Sequence, residues 1–80
     1  MVRVLFFASA RESVGHAEED FDVGGHSVGS IKTVLVERYP ALAPVLARSR
    51  LAMGHHFVQH DDATVPDGAV LAVIPPVAGG

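Results

Sequence analysis

Ala69-Val70-Leu71-Ala72-Val73-Ile74 is an unbroken apolar run. It is too short to stand as an independent helix, and a continuous apolar pattern suits a central strand with both faces covered. Val65-Pro66-Asp67-Gly68, just before it, is a turn signal in which proline fixes φ and glycine supplies a conformation that a side chain resists. Pro75-Pro76, just after it, removes two backbone donors and ends the pairing. A second run of the same character, Val2 to Ala8, is rich in Val and Phe and interrupted by Arg3 alone. These two runs are the most apolar in the chain, so they are expected side by side and parallel at the centre of one sheet.

Between them, Ser9 to Gly15 reads as a short polar connection, and Glu18 to Val23 as an edge strand with its charges turned outward. Gly24-Gly25 breaks that strand, and the first two strands make an antiparallel hairpin with a long turn. Ser27 precedes Val28, Ile31, Val34, Leu35 and Tyr39, whose offsets of three and four place them on one stripe of a helix capped by the Ser27 hydroxyl. Pro40 stops this helix, giving bounds of about Val28 to Arg38. Ala41 to Leu46 adds a short helical turn around Pro44, and Leu51-Ala52-Met53 and Phe57-Val58 read as two strand pieces about a turn. The expected fold class is α+β, one main helix packed on one face of a mixed sheet.

Composition bounds the function. Eighty residues, 49% hydrophobic and 19% charged, describe one small globular domain spanning residues 1–80. The absence of cysteine excludes a disulfide, a thiolate metal site and a cysteine nucleophile, and it points to a reducing compartment, the cytoplasm. No apolar run approaches the roughly 18–20 residues of a membrane span, and the start is too short in apolar residues for a signal peptide, so no membrane partner is expected. The net charge is -3 and the basic residues are scattered singly, which argues against a nucleic-acid partner.

Catalytic motifs are missing: the chain has no GxSxG, HExxH, P-loop or GxGxxG pattern. His55, His56 and His60 lie close in sequence, but on a strand His55 and His56 point to opposite faces and no carboxylate lies between them, so no metal site is expected. Glu18, Glu19, Asp20 and Asp22 read as a solvated edge. The end of the chain, Ile74-Pro75-Pro76-Val77-Ala78-Gly79-Gly80, is the most informative stretch. A prolyl pair is extended and stiff and carries the residues after it off the fold. Gly79 and Gly80 have no side chains, so residues 75–80 form a tail able to thread a narrow channel and present a carboxylate at its bottom. The plain alternative is a frayed terminus. An ionised carboxylate is a poor electrophile, so chemistry at Gly80 requires prior activation.

Three stretches carry a family resemblance: Val4-Leu5-Phe6-Phe7-Ala8 with Arg11-Glu12 and Gly15, then Asp67-Gly68, then Ile74 to Gly80. Nearly the whole chain resembles the small subunits of molybdopterin synthase, the MoaD type of ubiquitin-like β-grasp sulfur carriers. The resemblance implies a ubiquitin-like β-grasp fold and a subunit that is no enzyme on its own. It implies that Gly80, with Gly79 as its slender neighbour, is adenylated by an E1-like activating enzyme and converted to a thiocarboxylate that donates sulfur to a pterin precursor. ATP is used by that partner, and the chain itself binds no cofactor. Further implied partners are the large synthase subunit, two copies of each chain in the complex, and a sulfur-donor protein. Ile74, Pro75, Pro76, Val77, Ala78 and Arg11 are the implied docking residues, together with the adjoining apolar sheet surface.

The chain departs from the family pattern at two places. Ala52-Met53-Gly54-His55-His56 stands where an Ala-Val-Asn type strand and turn is usual, and Ala69-Val70 stands where acidic residues tend to follow Asp67-Gly68. Rival readings are a carrier for thiamine or transfer-RNA thiolation, a protein modifier joined to lysines through Gly80, and a binding module with a passive tail. The Phe6-Phe7-Ala8 to Arg11-Glu12 stretch and Pro75-Pro76 favour the molybdopterin assignment over the thiamine type.

Overall fold

A computed structural model describes residues 1–76. Strand β1 (Val2–Phe6) leads into helix α1 (Ala8–Val14) and strand β2 (Glu18–Phe21). Helix α2 (Val28–Arg38), a 3₁₀ turn at Pro40–Leu42 and helix α3 (Ala43–Arg48) follow. Strands β3 (Arg50–Met53), β4 (His56–Phe57) and β5 (Val70–Ile74) complete a mixed sheet of order β2-β1-β5-β3-β4. The two apolar runs pair parallel in its middle, Val4 opposite Leu71 and Leu5 opposite Ala72, and the other neighbours are antiparallel. The acidic strand β2 is at an edge.

Alternation decides which side of the sheet is covered. Val2, Val4 and Phe6 of β1 and Leu71 and Val73 of β5 are buried on one face, while the residues between them are less buried. On α2, Val28, Ile31 and Leu35 are each fully buried in the same core, and Val34 and Tyr39 pack against it from the helix flanks. Among the described residues no polar or charged residue is buried, so the core holds by apolar packing alone.

The ends of α2 are those that the residues dictate. The Ser27 hydroxyl accepts a hydrogen bond from the Ser30 amide at 3.1 Å. The Val28 and Gly29 amides donate to the carbonyls of Ala63 and Asp61 at 2.9 and 2.8 Å. The segment before β5 therefore crosses the start of the helix and satisfies its free donors. The loop before α2 meets the turn before β5 so closely that a Cβ on Gly24 would stand 2.8 Å from the Asp67 Cα, and only glycine fits. Pro40 ends α2 and opens the 3₁₀ turn, where its missing donor costs nothing.

Some expected boundaries are corrected. Ser9 to Gly15 is not a polar connection but lies within α1 and its glycine cap, and β1 ends at Phe6. Ala8 turns the chain with φ +48°, and the Phe7 carbonyl accepts from the Ala10 and Arg11 amides at 3.0 and 3.3 Å. A helix of seven residues is not stable alone; fully buried Ala10 and partly buried Val14 hold it to the core. Strand β2 stops at Phe21, with Val23 buried beyond it, and β4 is His56–Phe57 instead of Phe57-Val58.

Glu19 departs from the expected solvated edge: its side chain turns to the helical side and is only 20% exposed. The Tyr39 hydroxyl donates to Glu19 Oε1, His16 Nε2 lies 2.7 Å from the same oxygen, and an Arg38 guanidinium nitrogen lies 3.4 Å from Oε2. Phe6, His16 and Tyr39 meet edge to face around this cluster. Tyr39 holds the Glu19 carboxyl below its ordinary value; partial burial opposes this, and His16 and Arg38 add to it.

Two outcomes follow from this packing. Leu35→Ala should lower the unfolding free energy by about 2–5 kcal/mol in urea titrations, because a fully buried leucine leaves a cavity. A group with a lowered folded-state pKa stabilises fully above its unfolded value and loses that contribution as pH falls through the folded one. Wild type should therefore be more stable than Glu19→Gln at neutral pH, and the gap should shrink as acid protonates Glu19, as read from denaturation midpoints between pH 7 and pH 3.

Candidate functional site

Among the described residues, the face of the sheet away from the core is open. Register places Glu18, Leu5, Ala72, Ala52 and Phe57 abreast across the five strands. Arg3 stands between Asp20 and Val70 in the next row, and Ile74 stands beside Arg50 on the other side. Leu5, Ala72, Ala52 and Ile74 are half-buried, whereas Val70, Phe57 and Phe7 are exposed. The result is an apolar surface with small alanines at its middle and larger side chains around them.

Cations flank that surface. Arg3 Nε donates to Asp20 Oδ1 at 3.0 Å, which holds the Asp20 carboxyl below its ordinary range. The pair is exposed and contributes little to stability. The Arg50 guanidinium lies 3.7 Å from the centroid of the Phe57 ring, a stacked arrangement that leaves its edge N–H groups for other partners.

The root of the tail lies where this face meets α1. Ile74 is on the open face, Pro75 is buried and Pro76 is exposed. Pro75 is thus part of the fold, so the first residue of the tail expected over residues 75–80 is packed on the domain. Pro76 lines a shallow groove with Ala8, Ser9, Arg11 and Glu12. The structure therefore brings Arg11 beside Pro76, though the two are far apart in sequence. Val77, Ala78, Gly79 and Gly80 lie outside the described residues.

Sequence reading missed the individual residues of the open face, Leu5, Ala52, Phe57, Val70 and Ala72, and above all Phe7. The signal for Phe7 is its odd number just after β1: with Val2, Val4 and Phe6 inward and the backbone still extended at Phe7, alternation assigns Phe7 to the side of Arg3 and Leu5. The Phe7 amide still donates to the Val73 carbonyl at 3.3 Å, so its position is fixed by β5. His55, His56 and His60 are exposed, and no group of three His, Asp or Glu side chains able to hold a metal occurs among the described residues. No helix among them is long and apolar enough to cross a membrane.

Known proteins resemble this chain along nearly its whole length. A family model described as the ThiS family matches residues 4–80. The chain is 40% identical over 88 residues to the molybdopterin synthase sulfur carrier subunit of Aedes aegypti, covering 99% of this chain and 88% of that protein. It is 32% identical over 81 residues to the protein of the same name in Chlamydomonas reinhardtii, covering 99% and 98%. Among solved structures, a putative molybdopterin converting factor, subunit 1, from Pyrococcus furiosus superimposes with a TM-score of 0.84 at 26% identity, covering 95% of this chain and 97% of that one.

The bend at Ala8 gives the groove a test. A β-branched residue at positive φ is strained, so Ala8→Val should lose about 1–3 kcal/mol of stability. Ala8→Gly, which tolerates that φ, should stay close to wild type in the same thermal melts.

Proposed function

The chain belongs to the ThiS family of ubiquitin-like β-grasp proteins, and from that membership we propose that it is the sulfur-carrier subunit of a molybdopterin synthase. The observation that carries the reading is the tail root: the central strand runs into a buried Pro75, and an exposed Pro76 beside Arg11 leads to Val77-Ala78-Gly79-Gly80. A stiff exit from the most firmly held strand sets where a reactive terminus starts, and glycines at its end leave no side chain to obstruct a narrow channel.

The chemistry is a two-step exchange at the Gly80 carboxyl. Its oxygen attacks the α-phosphorus of ATP in an E1-like activating enzyme, pyrophosphate leaves, and an acyl adenylate forms. Hydrosulfide supplied by a donor protein then attacks the carbonyl carbon, AMP departs with its electron pair and the sulfur loses its proton to solvent, leaving a thiocarboxylate. The thiocarboxylate gives its sulfur to a pterin precursor in the large subunit's active site. The chain supplies no acid, base or metal to these steps; it carries the acyl group and positions it. The open apolar face, with Arg11, Ile74 and the tail, is the docking surface for the large subunit, and residues from Ile74 to Ala78 bridge the two.

Intact mass after incubation with the activating enzyme, ATP and a sulfur source measures the reaction. Wild type should gain the mass difference between sulfur and oxygen. Deleting Gly80 should abolish the gain without changing the fold, and Gly79→Val should come close to doing so, since a β-branched side chain widens and stiffens the thread. No gain by wild type with a competent activating enzyme would refute the carrier function.

A further inference from the structure

An activated carbonyl at Gly80 meets the chain's own nucleophiles as well as those of its partners. Thiols and amines are the groups that attack such a carbonyl near neutral pH. The chain contains no cysteine, and Lys32 is its single lysine. The other basic residues, Arg3, Arg11, Arg38, Arg48 and Arg50, are guanidinium groups, which keep their charge and do not act as nucleophiles.

Lys32 is itself engaged. Its side chain is 32% exposed, and Nζ lies 2.9 Å from Asp61 Oδ1. The Asp61 carbonyl accepts the Gly29 amide at 2.8 Å, so the carboxylate is tied to the first turn of the helix that carries Lys32. Ser49, Arg50 and Gln59 line the same polar cleft. An ammonium held in this way gives up both a proton and its carboxylate before its nitrogen can attack. The Met1 amino group also faces a carboxylate, Asp67, at 2.5 Å.

We propose that the chain is an acyl donor poor in acceptors of its own: arginines provide the positive charge for docking, and Asp61 holds back the one lysine. Activated Gly80 then goes to an external sulfur nucleophile, and copies of the chain are not joined to one another. This rests on the carrier role of Gly80. The reaction avoided is formation of an amide between the Gly80 carbonyl carbon and Lys32 Nζ of a second copy. In it the lysine nitrogen bonds to the carbonyl carbon, the bond from that carbon to the leaving group breaks, the leaving group takes the electron pair, and two ammonium protons pass to solvent or to the leaving group. The amide is a dead end, because an amide no longer exchanges with sulfur under these conditions.

The test uses the full chain with Gly80 prepared chemically as an α-thioester, so that no enzyme limits access. Wild type should decay mainly by hydrolysis to the carboxylate, with little chain-on-chain product by intact mass. Asp61→Asn should raise acylation at Lys32 by about threefold, the scale set by a partly exposed ion pair. Arg48→Lys places an amine on the exposed end of α3, where no carboxylate pairs with Arg48 among the described residues; it should give more chain-on-chain product than wild type, and peptide mapping should locate the bond at position 48. Lys32→Arg should remove the residual product at position 32. The proposal is overturned if wild type couples through Lys32 as fast as Arg48→Lys couples at position 48, or if Asp61→Asn reacts no faster than wild type. Enzymatic sulfur loading of wild type is scored in a separate reaction, so a failure there counts against the carrier role and not against the amine chemistry.

Discussion

The parallel pairing of β1 with β5 is the constraint on which the rest of the structure depends. Parallel neighbours cannot be joined by a tight turn, so everything from Phe7 to Ala69 forms the crossover between them. Strand β2 takes the free edge of β1, β3 takes the free edge of β5 and carries β4 on its other side, and α2 covers one face of the pair through Val28, Ile31 and Leu35. Ends of the chain that are distant in sequence are therefore fixed together, and the tail leaves from the middle of the sheet rather than from a loose edge.

Among the described residues, the same constraint leaves one face uncovered. A sheet with helices on a single side turns every second residue of each strand outward, and here those residues include Leu5, Ala52, Phe57, Val70, Ala72 and Ile74. Five strands each give one residue to a continuous row, and the strand carrying Ile74 continues directly into the tail. In the carrier reading a partner that binds this face receives the tail at a fixed starting point, so docking and delivery are coupled by one strand.

Polar groups are arranged around this apolar frame and not inside it. Glu19, Tyr39, His16 and Arg38 join the acidic edge strand to the end of α2, and Lys32 and Asp61 join the start of α2 to the segment before β5. Both clusters keep water on one side, so their charges are satisfied without the cost of full burial. Both also tie α2, which the sheet hydrogen bonds do not reach, to its neighbours.

The sequence by itself determined α2 within its true bounds, because Ser27, the stripe from Val28 to Tyr39 and Pro40 are local signals that act within a few residues. It also determined the central strand pair, since two long apolar runs in so small a chain have nowhere else to be buried. Tertiary structure decided α1. Ala8-Ser9-Ala10-Arg11-Glu12-Ser13-Val14 offers the core only Ala10 and Val14, and a helix this short forms only when a surrounding fold fixes its start, here through the bend at Ala8. Tertiary structure also decided the inward turn of Glu19, the burial of Pro75, the meeting of Pro76 with Arg11, and the row of residues across the open face. Each of these is set by which strands become neighbours, and that depends on contacts between distant parts of the chain that no local pattern records.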